Sequence, residues 1–137
     1  MSDKPFSQSE ILLEEAKKAR ENSYSPYSGF KVGAALLCGS GKIYTGCNIE
    51  NAAYSPTVCA ERVAFFNAVS EGERDFTAIA IVGGSGEDTD EPCPPCGVCR
   101  QVMAEFCDAD SFKIYLIGKE LTLSQLLPYG FGKDNVR

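Results

Sequence analysis

One nearly continuous apolar segment constrains the fold of this chain more than any other feature: Phe76–Gly83, with the sequence FTAIAIVG. A strand with one solvated face alternates polar and apolar residues, whereas an uninterrupted apolar strand is covered on both faces. We therefore predict a buried strand here, with helices packed on both sides of its sheet. A second buried strand is predicted over Phe112–Ile117.

The remaining elements alternate around these two strands. The pair Ser7 and Glu10 has the spacing of a capping box and marks the start of a first helix. The other predicted elements are strands over 30–38 and 43–48, a second helix from about 55–57 to 72, a third from 95–99 to 106, and a short fourth over 122–127. A hairpin followed by strand-helix-strand crossovers predicts an α/β fold, a three-layer α/β/α sandwich with a mixed central sheet.

Length and charge limit the class of protein. We expect residues 1–137 to form a single domain, because this length is close to the usual size of one. The net charge of −6 disfavours nucleic acid and anionic membrane surfaces as partners. Apolar runs are all far shorter than the roughly 20 residues that span a membrane. The N-terminus lacks the apolar region of a secretory signal, so we expect a cytoplasmic location.

The chain contains seven cysteines and no histidine. In a reducing compartment thiols stay free, so clustered cysteines indicate metal binding or catalysis before disulfides. The absence of histidine removes the commonest general base and every histidine-ligated metal site. Proton transfer must therefore use a carboxylate, Tyr or Lys, and a transition-metal site must use mainly thiolates.

Two short segments carry a metal-binding pattern, Cys59-Ala60-Glu61 and Cys96-x-x-Cys99, each near the predicted start of a helix. The positive end of a helix favours thiolates, and three thiolates with an open fourth position are typical of catalytic zinc. Residues 59 and 61 lie about 200° apart around an ideal helix, so they can share a site only at the helix tip. There Glu61 is the best candidate for a general acid and base.

Cys93 offers a competing Cys-x-x-Cys pair with Cys96. We prefer Cys96 and Cys99, because two prolines stiffen the stretch after Cys93 whereas the chain after Cys96 can continue as a helix. A structural zinc site with four thiolates, built on Cys93, Cys96 and Cys99, is the alternative, and it leaves Cys59 beside Glu61 unexplained. The three other cysteines are expected to be small buried apolar side chains: Cys38, Cys47 and Cys107.

The combination of Cys59-Ala60-Glu61-Arg62 with Pro95-Cys96-x-x-Cys99-Arg100-Gln101 resembles the cytidine deaminase family in its small homotetrameric form. The resemblance covers nearly the whole chain. It implies a hydrolase of pyrimidine salvage that acts on a cyclic amidine C–N bond. Cytidine and 2′-deoxycytidine would react with water to give uridine or 2′-deoxyuridine and ammonia. Zinc, one ion per subunit, would be held by Cys59, Cys96 and Cys99, and Glu61 would shuttle the proton.

The resemblance also implies contacts with a free pyrimidine nucleoside. Asn48 and Glu50 would contact the ribose, Phe30 would pack on the pyrimidine, and the backbone of Ala60 would meet the polar edge of the base. Phe131, with Tyr129 as the alternative, would reach the site of a neighbouring subunit in a homotetramer.

Arg62 is predicted to act beside the metal. Zinc with three thiolates carries a formal charge of −1, which weakens its power to acidify water. Arg62 directly follows Glu61 in the sequence and can offset that charge by hydrogen bonding to the sulfurs.

Two other functions stay open at this point. The same zinc core can serve a deaminase for a cytosine-containing antibiotic such as blasticidin S, although the pair Asn48 and Glu50 favours a nucleoside. A non-catalytic, zinc-stabilised module requires that the protein fill all four metal positions. A polynucleotide deaminase shares the motif, but the net charge of −6 argues against a nucleic-acid groove.

Overall fold

The structure is a computed structural model that describes residues 5–136. Its strands are β1 (Phe30–Cys38), β2 (Ile43–Cys47), β3 (Phe76–Ser85), β4 (Lys113–Leu116) and β5 (Lys119–Thr122). Its α-helices are α1 (Gln8–Arg20), α2 (Ala60–Ser70), α3 (Gly97–Phe106) and α4 (Leu123–Leu126), and a short 3-10 helix follows over Lys133–Val136. The helices of the described residues are all too short or too polar to cross a membrane.

The strands form one mixed sheet in the order β2-β1-β3-β4-β5. The central strand, β3, pairs antiparallel with β1 and parallel with β4. The outer strands β2 and β5 each pair antiparallel with their neighbour. The apolar run that predicted a buried strand is thus the middle of the sheet, and the predicted mixed sheet is confirmed.

Helices cover both faces of this sheet. On one face, Leu12 and Ala16 of α1 pack against alternate residues of the central strands, Ala35, Ala78, Ala80 and Val82. On the other face, a larger core joins α2, α3 and α4 to the sheet through Ala64, Phe65, Met103, Leu123, Ile79 and Ile81. The three-layer α/β/α sandwich predicted from the sequence is therefore confirmed.

The predicted start of α2 near residues 55–57 is wrong. The helix begins at Ala60, with Cys59 as its N-cap in an extended conformation. Val58 exchanges two backbone hydrogen bonds of 3.0 Å with Ile49, which hold the preceding segment in an extended form. Pro56 therefore lies in a turn before the helix and not in its first turn.

The edge strand β5 was not among the predicted elements. It returns from β4 through a tight turn at Gly118, whose φ of 74° is a left-handed conformation that glycine adopts without strain. The four residues of β5 are too short for an alternating pattern to stand out. The short helix predicted over 122–127 is present as α4, and the Thr122 N–H donates to the Gln125 side chain at 2.8 Å.

Helix α1 packs directly on the backbone of β1 at Gly33. A methyl group on Gly33 would overlap the Ala16 carbonyl, and a helix cannot yield as a flexible side chain does. We expect Gly33→Ala to lower the free energy of unfolding by about 2 kcal/mol or more. The matched control is Gly132→Ala, where no described atom lies within 4 Å of the added carbon. Equal denaturant midpoints for the two variants would show that α1 adjusts freely.

Candidate metal centre

The starts of α2 and α3 bring the predicted metal-binding residues together. Cys59 and Cys96 are the N-caps of the two helices, and both have extended backbones. Cys59 precedes the helix, and its side chain and that of Glu61 line the same cavity. The structure thus brings Cys59 and Glu61 together at the start of α2, as the sequence predicted.

The thiols of Cys59, Cys96 and Cys99 converge. The Cys59 and Cys96 sulfurs lie 3.6 Å apart, and the Cys96 and Cys99 sulfurs lie 3.4 Å apart. A tetrahedral zinc ion with Zn–S bonds near 2.3 Å separates two sulfurs by about 3.8 Å. These thiols therefore fit a zinc ion, and within residues 5–136 no other group of three or more candidate ligands is as close.

Positive charge lies beside this cluster. The Arg62 guanidinium donates to the Cys59 sulfur at 3.6 Å. Hydrogen bonds from Cys99 and from Arg62 lower the pKa of Cys59, which favours the thiolate that binds metal. The Nε atom of Arg62 is buried without a hydrogen-bond partner among the described residues. A buried donor of this kind suits a site in which the thiols are deprotonated, because thiolates carry negative charge that protonated thiols lack.

Glu61 lies beside the thiols and is almost entirely inside the protein, with 4% of its surface exposed. Burial raises its pKa to about 7, because removing water disfavours the charged carboxylate. A carboxyl group with a pKa near neutral exists in both protonation states under ordinary conditions. Its environment therefore suits a group that accepts and then releases a proton.

A cavity of about 350 Å³ opens in front of this cluster. Seven of the site residues predicted from the sequence line it: Phe30, Asn48, Glu50, Cys59, Ala60, Glu61 and Cys96. Cys99 lies behind the wall and is buried. The cavity is concave, partly apolar and next to a metal-binding cluster, which are the properties of a small-molecule site.

Other lining residues had no signal of their own in the sequence. They are Ser28, Val32, Thr57, Val58 and Pro94, which come from a strand and from loops around the cavity. Cys93 also lines the cavity and is not part of the three-thiol group. Burial raises the pKa of Cys93 to about 11, so this thiol stays protonated at neutral pH. Cys93 is therefore a residue of the cavity wall and lies outside the group of three thiols that could hold a metal ion.

The Asn48 side chain links the edge of the cavity to β1. Its Oδ1 atom accepts from the Val32 N–H at 2.9 Å, and its amide nitrogen donates to the Phe30 carbonyl at 2.8 Å. The same Oδ1 atom also accepts from the Ser23 hydroxyl. Asn48 therefore has a structural role, because it fixes the start of β1, which carries Phe30.

The Glu50 carboxylate holds a neighbouring loop. Oε1 accepts from the N–H groups of Tyr27 and Ser28 at 2.9 and 3.1 Å, and Oε2 accepts from the Ser28 hydroxyl. Hydrogen bonds from Ser28, the hydroxyl first, lower the pKa of Glu50 because they stabilise the charged form. A carboxylate fixed in this way faces the cavity as a rigid hydrogen-bond acceptor.

Phe131 and Tyr129, both within the described part of the chain, do not line this cavity. Phe131 is 59% exposed and Tyr129 is fully exposed. The structure therefore does not bring either aromatic side chain to the metal cluster of its own chain.

Known proteins match this chain over most of its length. The family described as "cytidine and deoxycytidylate deaminase zinc-binding region" matches residues 6–114, which include the three thiols and Glu61. A cytidine deaminase from Sporosarcina psychrophila is 54% identical over 132 residues, covering 93% of each chain. One from Halalkalibacterium halodurans is 52% identical, covering 93% of this chain and 96% of the relative. The crystal structure of cytidine deaminase from Burkholderia pseudomallei aligns with a TM-score of 0.83 at 44% identity, covering 92% of this chain and 100% of that one.

Proposed function

Since this chain belongs to the cytidine and deoxycytidylate deaminase family, we propose that it hydrolyses cytidine and 2′-deoxycytidine to the uracil nucleosides and ammonia. One observation carries the proposal. A buried carboxyl group, Glu61, lies with the thiols of Cys59 and Cys96 in the wall of one cavity. A structural metal site has no need of a buried acid beside an open cavity.

Cys59, Cys96 and Cys99 would hold the zinc ion. When bound by three thiolates, zinc supplies Lewis acidity that makes a water molecule nucleophilic at neutral pH. The reaction joins the water oxygen to C4 of the pyrimidine and breaks the bond from C4 to the exocyclic nitrogen. One proton from water must move to the ring nitrogen N3, and a further proton must reach the departing amine.

Glu61 is the group that moves these protons. Of the two carboxyl groups in the cavity wall, Glu50 and Glu61, it is the one that interacts with the Cys59 thiol, and a single carboxylate can accept a proton and release it at a second atom. Burial keeps bulk water from competing for that proton. With no histidine in the chain, we assign both the acid and the base roles to Glu61.

The cavity wall supports a nucleoside as the substrate. The Glu50 carboxylate is an acceptor suited to sugar hydroxyls, and the Asn48 amide lies in the same wall. Phe30 offers an aromatic surface for the pyrimidine, and the Ala60 backbone offers polar groups for its edge. Ribose and deoxyribose both carry the 3′ and 5′ hydroxyls, so we propose that both nucleosides are substrates.

We also propose a homotetramer in the cytoplasm that serves pyrimidine salvage. Support comes from Phe131 and Tyr129, two exposed aromatic residues that lie away from their own cavity. In an oligomer one of them, and Phe131 first, can cover the site of a neighbouring subunit.

The test measures ultraviolet absorbance during incubation with cytidine, 2′-deoxycytidine and blasticidin S, with chromatography to identify each product. We expect both nucleosides to be deaminated by zinc-loaded protein, activity to stop after chelation, and zinc to restore it. Turnover of blasticidin S alone would assign the antibiotic as the substrate instead. A zinc-loaded chain that acts on none of the three would support the non-catalytic module.

Arg62 provides a separate prediction about the charge at the sulfurs. We expect Arg62→Gln to lower kcat for cytidine about 10-fold while most of the zinc is retained, because the thiolates lose the cation that offsets their charge. Zinc content and kcat are measured on the same preparations. Arg74→Gln, which removes an exposed arginine beyond the other end of α2, is the control. Equal kcat in samples matched for zinc would contradict this role.

A further inference from the structure

The C-terminal segment, residues 127–136, lies on the protein surface, and from residue 128 onward it is largely exposed. A hollow of about 480 Å³ separates parts of this segment from the last turn of α3. Tyr129, at the first bend, has a left-handed φ of 54° and is fully exposed. Side-chain burial therefore contributes little to the position of residues 129–131, and hydrogen bonds must contribute more.

Two consecutive residues of α3 reach this region from the metal centre. Arg100 directly follows Cys99, and its guanidinium donates to the Pro95 carbonyl at 2.8 Å and to the Leu126 carbonyl at 2.7 Å. Gln101 donates from its side-chain nitrogen to the Phe131 carbonyl at 2.8 Å. One bond of Arg100 thus fixes the residue before Cys96, and the other bonds fix the end of α4 and the exposed segment beyond it.

We propose that Arg100 and Gln101 form a brace that positions the C-terminal segment from the metal-binding turn of α3. The same helical turn buries the Cys99 thiol on one side and carries Gln101 on its exposed side. A metal ion that fixes Cys96 and Cys99 therefore also fixes Arg100 and Gln101, which hold the C-terminal segment. The brace goes beyond the proposed function, and only its effect on kinetics depends on the proposal that Phe131 reaches a neighbouring site.

The brace predicts a local change in amide hydrogen exchange. In zinc-loaded Gln101→Ala, we expect peptides covering residues 128–136 to exchange about 2- to 12-fold faster, the range for loss of one net hydrogen bond. Gln101→Glu should have a similar effect, because it keeps the side-chain shape but removes the N–H donor. The matched control is Gln8→Ala, which removes a glutamine that donates to the Tyr115 hydroxyl at 2.9 Å. Unchanged exchange in both Gln101 variants would overturn the brace.

Arg100 is tested by replacement with lysine. An ammonium group cannot present the guanidinium fork that reaches two carbonyls in different directions. We expect Arg100→Lys to speed exchange of residues 123–136, with zinc content measured in parallel. Exchange equal to that of the parent chain would overturn the role of Arg100.

Kinetics then separate this inference from the proposed function. If Phe131 reaches a neighbouring site, Gln101→Ala should raise KM for cytidine several-fold with little change in kcat. Faster exchange with unchanged KM would support the brace and contradict the role of Phe131. Faster exchange in a chain that deaminates no nucleoside would leave the brace standing and the proposed function overturned. A raised KM with normal exchange would overturn the brace.

Discussion

Replacing Glu61 by glutamine should lower kcat for cytidine by about 10²- to 10⁴-fold while the chain keeps its zinc, the range that a positioned acid and base contributes. Glutamine has nearly the same size and its side chain can occupy the same buried position. Its amide cannot take a proton from water at neutral pH. The three thiols are unchanged, so metal binding should remain close to that of the parent chain.

Zinc content and kcat are measured together, so that a loss of metal is not mistaken for a loss of proton transfer. The control is Glu71→Gln, which makes the same chemical change at an exposed position just after the end of α2. We expect the control to keep full activity. A zinc-loaded Glu61→Gln chain with more than one-tenth of the parent activity would rule out Glu61 as the proton carrier.

Cys99→Ala should cost the chain most of its zinc and all measurable deaminase activity. The remaining two thiolates leave a site that has lost one of its strongest ligands. Metal that binds only the folded chain stabilises it by mass action, by about 4 kcal/mol when free zinc is 1,000 times its Kd. We therefore expect the melting temperature to fall, and to respond far less to added zinc than that of the parent chain.

Cys38→Ala is the matched control for this change. Cys38 and Cys99 are both buried thiols, 2% and 1% exposed, but Cys38 lies at the end of β1 outside the three-thiol group. Each variant loses one buried sulfur atom from the core, so the difference in zinc content and melting temperature between them isolates metal binding. If the two variants retained equal zinc, Cys99 would not be a ligand.

The sheet could be predicted where burial leaves a strong pattern. The apolar run of β3 marks the strand covered on both faces, and the capping residues before α1 mark the start of a helix. The start of α2 could not be predicted, because the bridge between Ile49 and Val58 holds the chain extended up to Cys59. Pairing between two residues that are not adjacent in the sequence leaves no local signal.

The metal site could be predicted for a different reason. Thiolate ligands and a proton carrier must be specific residue types at short spacing, so the sequence of each segment displays them. The cavity wall requires only shape, and residues such as Val32 and Val58 supply it from a strand and a loop without any motif. The side-chain bonds of Asn48 and Glu50 to β1 and to the loop at Ser28 also depend on the fold and could not be foreseen.

The bonds of Glu50 bear on attempts to redesign substrate choice. A mutation at Glu50 aimed at a different sugar would also release the Tyr27 and Ser28 N–H groups and the Ser28 hydroxyl that its carboxylate accepts from. The loop would then relax, and an altered preference could not be credited to the proposed sugar contact alone. Directed evolution of this chain should therefore vary Glu50 and Ser28 as a pair, in libraries that let the loop find a new partner.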